Sequence, residues 1–137
     1  MSKQKANSTQ IITSNICSFS GVNSSVQTTT TGSYVDVTGV SATLTTNGGA
    51  LLLMLSLPFY CNGYQALGAI QINGVDYYCC DTYSLSAVGS IVGFATVAAG
   101  VVPAGTYTVK ARFKISNAGS TATIMPYTTR SFSVMEI

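Results

Sequence analysis

The residues with the most chemical potential in this sequence are four cysteines, Cys17, Cys61, Cys79 and Cys80. Four thiols can close two disulfides by three connectivities, or hold a tetrahedral zinc ion. The spacing argues against zinc, because no C-x-x-C occurs and Cys79 and Cys80 in a strand point to opposite faces. Two readings stand: a disulfide of Cys61 with Cys79 or Cys80, with Cys17 as a further candidate, or free thiols packed as small hydrophobes. A nucleophilic cysteine needs a base or a cationic neighbourhood. The charges nearest in sequence are Asp76 and Asp81, which raise a thiol pKa rather than lower it. Histidine is absent, removing the commonest general base and the commonest metal ligand together. We therefore expect no catalytic residues, no metal ligands, no cofactor and no enzymatic activity.

The remaining polar chemistry suits contact better than catalysis. Asp76 and Asp81 have the oxygens for a glycosidase pair or a calcium loop, but nothing else in the sequence supports either, and they read as solvated turn carboxylates. Lys110, Arg112 and Lys114 form a short cationic row, joined by Arg130 if the last strand pairs nearby. That row is too weak for nucleic acid and reads as a solvated strand face or a match for an acidic protein patch. Among eight tyrosines, Tyr60, Tyr64, Tyr77 and Tyr78 fall in one stretch, and tyrosine serves subunit interfaces and sugar-binding surfaces alike. These four, with Lys110, Arg112 and Lys114, are the candidate partner-contact surface.

Composition narrows the class further. Charged residues make up 7% of the 137-residue chain, against about 25% in an ordinary soluble domain. Hydroxyls replace them, in 17 Ser and 18 Thr. Six cations against four anions leave a net charge of +2, which excludes a polybasic nucleic-acid binder. The longest apolar stretches, 50–60 and 91–104, fall short of the roughly 20 residues that cross a bilayer as a helix. MSKQKANSTQ has no apolar run behind its lysines, so no cleaved signal peptide is expected.

The elements that position these residues are strands. Thr106 to Ile115 alternates strictly, with Tyr107, Val109, Ala111, Phe113 and Ile115 on the inner face. Asn73-Gly74 predicts a type I′ hairpin pairing Ile72 with Val75 and Ile70 with Tyr77. Further strands are expected at 34–37, 41–45, 50–57, 91–98, 121–125 and 130–136, bounded by Gly, Asn, Pro or Ser/Thr clusters. Ala50 to Leu55 is apolar on both faces, the pattern of a central strand covered on both sides. The expected fold is an all-β antiparallel sandwich of eight to nine strands.

Residues 1–32 are polar, with Ile11, Ile12, Ile16 and Phe19 as apolar anchors, and read as an assembly arm that precedes a sandwich domain of residues 33–137. On this division, removing residues 1–20 leaves the domain folded but weakens assembly.

Residues 103–113 (PAGTYTVKARF), 119–124 (GSTATI) and 130–137 (RSFSVMEI), with Tyr34-Val35-Asp36-Val37 and the apolar strand upstream, resemble viral and phage virion proteins with a small jelly-roll domain. Capsid decoration (cement) proteins and trimeric fibre or spike tips are such proteins. The resemblance covers residues 33–137 and brings no catalytic residues. It implies a jelly roll that assembles as a homotrimer and binds a major capsid protein or other virion protein at the particle surface. The chain would be made in the host cytoplasm, without membrane or nucleic-acid partners. A receptor- or glycan-binding tip and a strand-donating filament subunit are the alternatives.

Overall fold

Asn73 and Gly74 sit at φ of 52° and 77°, the left-handed pair that a type I′ turn requires. Across them Ile72 faces Val75 and Ile70 faces Tyr77, the register that the hydrophobic pattern predicts. The computed structural model describes residues 15–62, 64–83, 89–117 and 119–137. Its strands are β1 (Ile16–Val22), β2 (Gln27–Thr29), β3 (Val35–Thr46), β4 (Leu51–Asn62), β5 (Gln65–Ile72), β6 (Val75–Tyr83), β7 (Gly89–Val97), β8 (Gly105–Ile115), β9 (Thr121–Ile124) and β10 (Thr129–Glu136). Among the described residues there is no helix.

The hairpin is the tip of one long folded ribbon. From it outward, β5 pairs β6, β4 pairs β7, β3 pairs β8, β2 pairs β9 and β1 pairs β10, all antiparallel. Rolling this ribbon adds the pairs β5 with β8, β4 with β10 and β4 with β9. The result is a jelly roll of two sheets. Sheet one is β3-β8-β5-β6; sheet two holds β1, β10, β4 and β7 side by side, with β9 and β2 continuing beyond β10 along β4.

Between the sheets lies one core, in which Leu51, Leu53, Leu55, Leu57 and Phe59 of β4 are fully buried, as are Val109, Ala111, Phe113 and Ile115 of β8. The predicted phase of residues 106–115 is the observed one. Glu136 clamps the end of β10 across to β3, accepting hydrogen bonds from the Thr46 hydroxyl and, at 2.8 Å, from the Asn47 amide. The Thr46 bond is the main reason its carboxyl sits below the usual range.

Four expectations are corrected. Segments 34–37 and 41–45 are one strand, β3, interrupted by a bulge between Asp36 and Ser41, where Gly39 takes a φ of 75°. Ten strands stand where eight to nine were expected, because β1 and β2 lie in the segment read as an arm. The described part of the supposed arm, from residue 15 onward, belongs to the sandwich: β1 pairs with β10 along its whole length and β2 pairs with β9. Phe19 stacks on Phe132 at 6.5 Å between ring centroids. Serines between the apolar residues of β1 disguise an alternating edge strand as a polar tail. A deletion of residues 1–20 would remove most of β1 and bare Phe132, so it is expected to lower the stability of the sandwich in denaturant melts. Ile11 and Ile12 lie outside the described residues. Last, β4 is covered on one face only: Met54 on its other side is 38% exposed.

Candidate functional site

The four cysteines do not form a reactive centre. All are free and buried, and no disulfide joins Cys61 to Cys79 or Cys80. The Cys61 thiol points instead to the Thr82 carbonyl at 3.6 Å. Cys79 and Cys80 fall at a bulge, where Gly68 pairs with Cys80 and Ala69 with Tyr78. This irregularity, with β7 packed against β6, buries both of them, where simple alternation would have exposed one. Burial pushes the Cys17 and Cys79 thiols up to about 11 and Cys80 up to about 12, so the attacking thiolate is scarce near neutral pH. We expect an aromatic disulfide reagent at pH 8 to label the native protein only as fast as it opens, and to titrate all four thiols after denaturation. Rapid labelling of any thiol in the native protein would contradict this packing.

Two of the three cations in the row, Lys110 and Arg112, are paired with carboxylates within the chain. Lys110 reaches Asp36 at 3.2 Å, and Arg112 bridges Asp36 at 3.3 Å and Asp76 at 3.1 Å while donating to the Tyr34 carbonyl. Lys114 stands 4.5 Å over the Tyr34 ring. Burial, followed by the nearby Asp76 charge, raises the Tyr34 hydroxyl to about 12. The pairing of Asp36 leaves no signal in the sequence, because its partners are 74 and 76 residues away. The row is therefore largely paired, with Lys114 the member that has no carboxylate partner among the described residues.

Nor do the tyrosines converge. Tyr60 is on β4 of sheet two, whereas Tyr77 and Tyr78 are on β6 of sheet one. Tyr77 packs against the core; Tyr64 and Tyr78 are about half exposed. Tyr78 donates to Asp81, the first cause of its rise to about 12.

The structure assembles a different surface, the outer face of sheet two. Because side chains alternate, the strand register sets Ser18, Ser133, Met54 and Phe94 in one row across β1, β10, β4 and β7. The next row is Ser20, Ser131, Ser56 and Val92. Phe94 is 61% exposed and Val92 54%. Beside them the serines floor a shallow trough of about 290 Å³.

Among the described residues no charged side chain stands on this face. Asp36, Asp76, Asp81, Lys110, Arg112 and Lys114 all belong to sheet one. The two charges on β10 have the inward phase: Arg130 is 1% exposed, and Glu136 is held by β3. The signal was present in the sequence as apolar residues on both faces of 50–55, but which neighbours would share the uncovered side depends on registers between distant strands.

No family model matches the sequence, and no curated protein matches it. Among solved structures, the Eiger TNF from S. frugiperda aligns with a TM-score of 0.54 at 12% identity, over 90% of this chain and 92% of that one. Infectious bursal virus derived T=1 particles align at 0.54 and 9% identity, over 90% of this chain and 36% of theirs. The infectious bursal disease virus Gt strain gives 0.54 and 10%, over 90% and 37%. This chain thus spans little more than a third of the length of the bursal virus chains. The likeness is one of fold. It agrees with the ribbon topology in making the chain a jelly roll, a fold shared by viral shell and cytokine-type proteins.

Proposed function

We propose that this chain is a non-enzymatic structural subunit of a virus particle, a capsid decoration protein that works as a homotrimer. The observation that carries self-association is the outer face of sheet two. A monomer that leaves Ile16, Val22, Met54, Val92 and Phe94 in water, with no charge among them, has an unfinished surface. A second copy is the occupant that suits it, because the face carries both a protruding ring, Phe94, and a serine-floored trough large enough for one. A symmetric assembly brings one to the other at each contact. The opposite sheet, with its balanced charges, is left facing solvent.

The virion assignment rests on the resemblance of residues 33–137 to small virion jelly rolls and on the fold shared with the bursal virus particle chains. A strand-donating role gains nothing from β1, which is already paired along its length with β10.

Sedimentation of the purified chain should show a trimer at micromolar concentration. Phe94→Asp should weaken it by about 100-fold, the effect of losing a central aromatic anchor, with the melting temperature of the separated chain unchanged. A wild-type chain that stays monomeric at all concentrations would overturn self-association. Added to empty capsids, the trimer should raise their melting temperature. Binding to cells or glycans that leaves the shell unchanged would favour the receptor-binding alternative.

A further inference from the structure

Among the described residues, Arg130 is the one charged side chain that the sandwich takes inside, at 1% exposure. Its guanidinium donates from one terminal nitrogen to the Ser25 and Met125 carbonyls, both at 3.1 Å, while its buried Nε–H has no hydrogen-bond partner. No carboxylate among the described residues pairs with it. Asp36 and Asp76 are engaged by Lys110 and Arg112, Asp81 by Tyr78, and Glu136 by Thr46 and Asn47. An arginine stays ionised in a protein, and a buried charge is strongly unfavourable unless an opposite charge compensates it.

Arg130 lines a cleft of about 80 Å³ between β1, the following Asn23 and the β3 bulge at Thr38 and Gly39. The bulge is held in shape by Gln27, whose side chain donates to the Asp36 carbonyl at 2.6 Å and accepts from the Thr38 amide at 2.8 Å. Gly39 leaves the space beside it open, with no atom within 4 Å of where a Cβ would stand. The cleft thus combines an uncompensated cation, two flanking polar residues and a braced wall.

We propose that this cleft is a binding site for a small oxyanion, of the size of a carboxylate or phosphate group, with Arg130 as its counter-charge and Asn23 and Thr38 as its polar flank. Oxyanions suit a guanidinium because its planar fork offers parallel donors. Burial also lowers the Arg130 pKa, and an anion in the cleft would oppose that shift.

The test follows the Arg130 Nε–H resonance of the full chain by NMR while sodium phosphate or sodium acetate replaces a bulky sulfonate buffer salt at constant ionic strength. A saturable shift at millimolar phosphate or acetate is the expected result, accompanied by a melting temperature that climbs with anion concentration. Arg130→Met should abolish the thermal response. Thr38→Val, at an exposed bulge position, keeps the fold and should weaken binding about tenfold, as loss of one hydrogen bond to a charged group does. A resonance unmoved by added anion would overturn the proposal, as would equal thermal shifts in wild type and Arg130→Met.

Discussion

Gly93→Ala is expected to destabilise the sandwich by about 3 kcal/mol or more, the upper end of what overpacking a tight site does. A Cβ at Gly93 would stand 2.0 Å from the Cys79 carbonyl oxygen and 2.5 Å from the Cys80 Cβ. Neither obstacle is the free end of a flexible side chain, so relief requires β6 and β7 to move apart. These are the strands where the two sheets close on each other, and separating them opens the core beside Leu55, which pairs with Gly93 across β4. Denaturant melts should therefore show a lower midpoint with an unchanged slope. Gly32→Ala is the control: its Cβ would meet only the Ile115 carbonyl, at an ordinary 3.8 Å, and its effect should stay within about 0.5 kcal/mol. Equal midpoints for Gly93→Ala and wild type would mean that the β6–β7 approach is looser than the structure shows.

Phe113→Ala should cost about 3–5 kcal/mol. The ring is fully buried on β8, between Val35 of β3 and Gly68 of β5. Gly68 has no side chain with which to fill the space left by the ring, and the strands on both sides are fixed by their own ladders, so the cavity cannot collapse. Its neighbour in sequence gives the contrast. Lys114 faces outward, and Lys114→Ala loses a stacking contact with Tyr34 worth about 0.5–1 kcal/mol at an exposed site. Comparable losses for the two variants in denaturant melts would mean that the strand is in the opposite phase.

Local order was legible wherever the chain interacts with residues close in sequence. The Asn73-Gly74 turn specifies its own backbone and register, because few residue pairs accept positive φ at both positions. The phase of residues 106–115 follows from alternation alone, since a strand with one wet face must put its apolar set inward. The absence of histidine removes the commonest general base and the commonest metal ligand whatever the fold.

Tertiary structure decided the matters that depend on pairing between distant residues. Serines between its apolar residues give β1 the look of a tail, and only the ladder to β10, more than a hundred residues away, makes it a strand. Lys110, Arg112 and Lys114 look like a free cationic row until β3 brings Asp36 alongside and β6 brings Asp76. Arg130 shares the inward phase of Phe132 and Val134, but its charge argues for the surface, and only the tertiary structure shows the chain accepting it in the core. The uncharged face of sheet two arises the same way. Each strand contributes a serine, a threonine or an apolar residue at alternate positions, and it is the rolled ribbon, setting four such strands edge to edge, that turns scattered side chains into one surface.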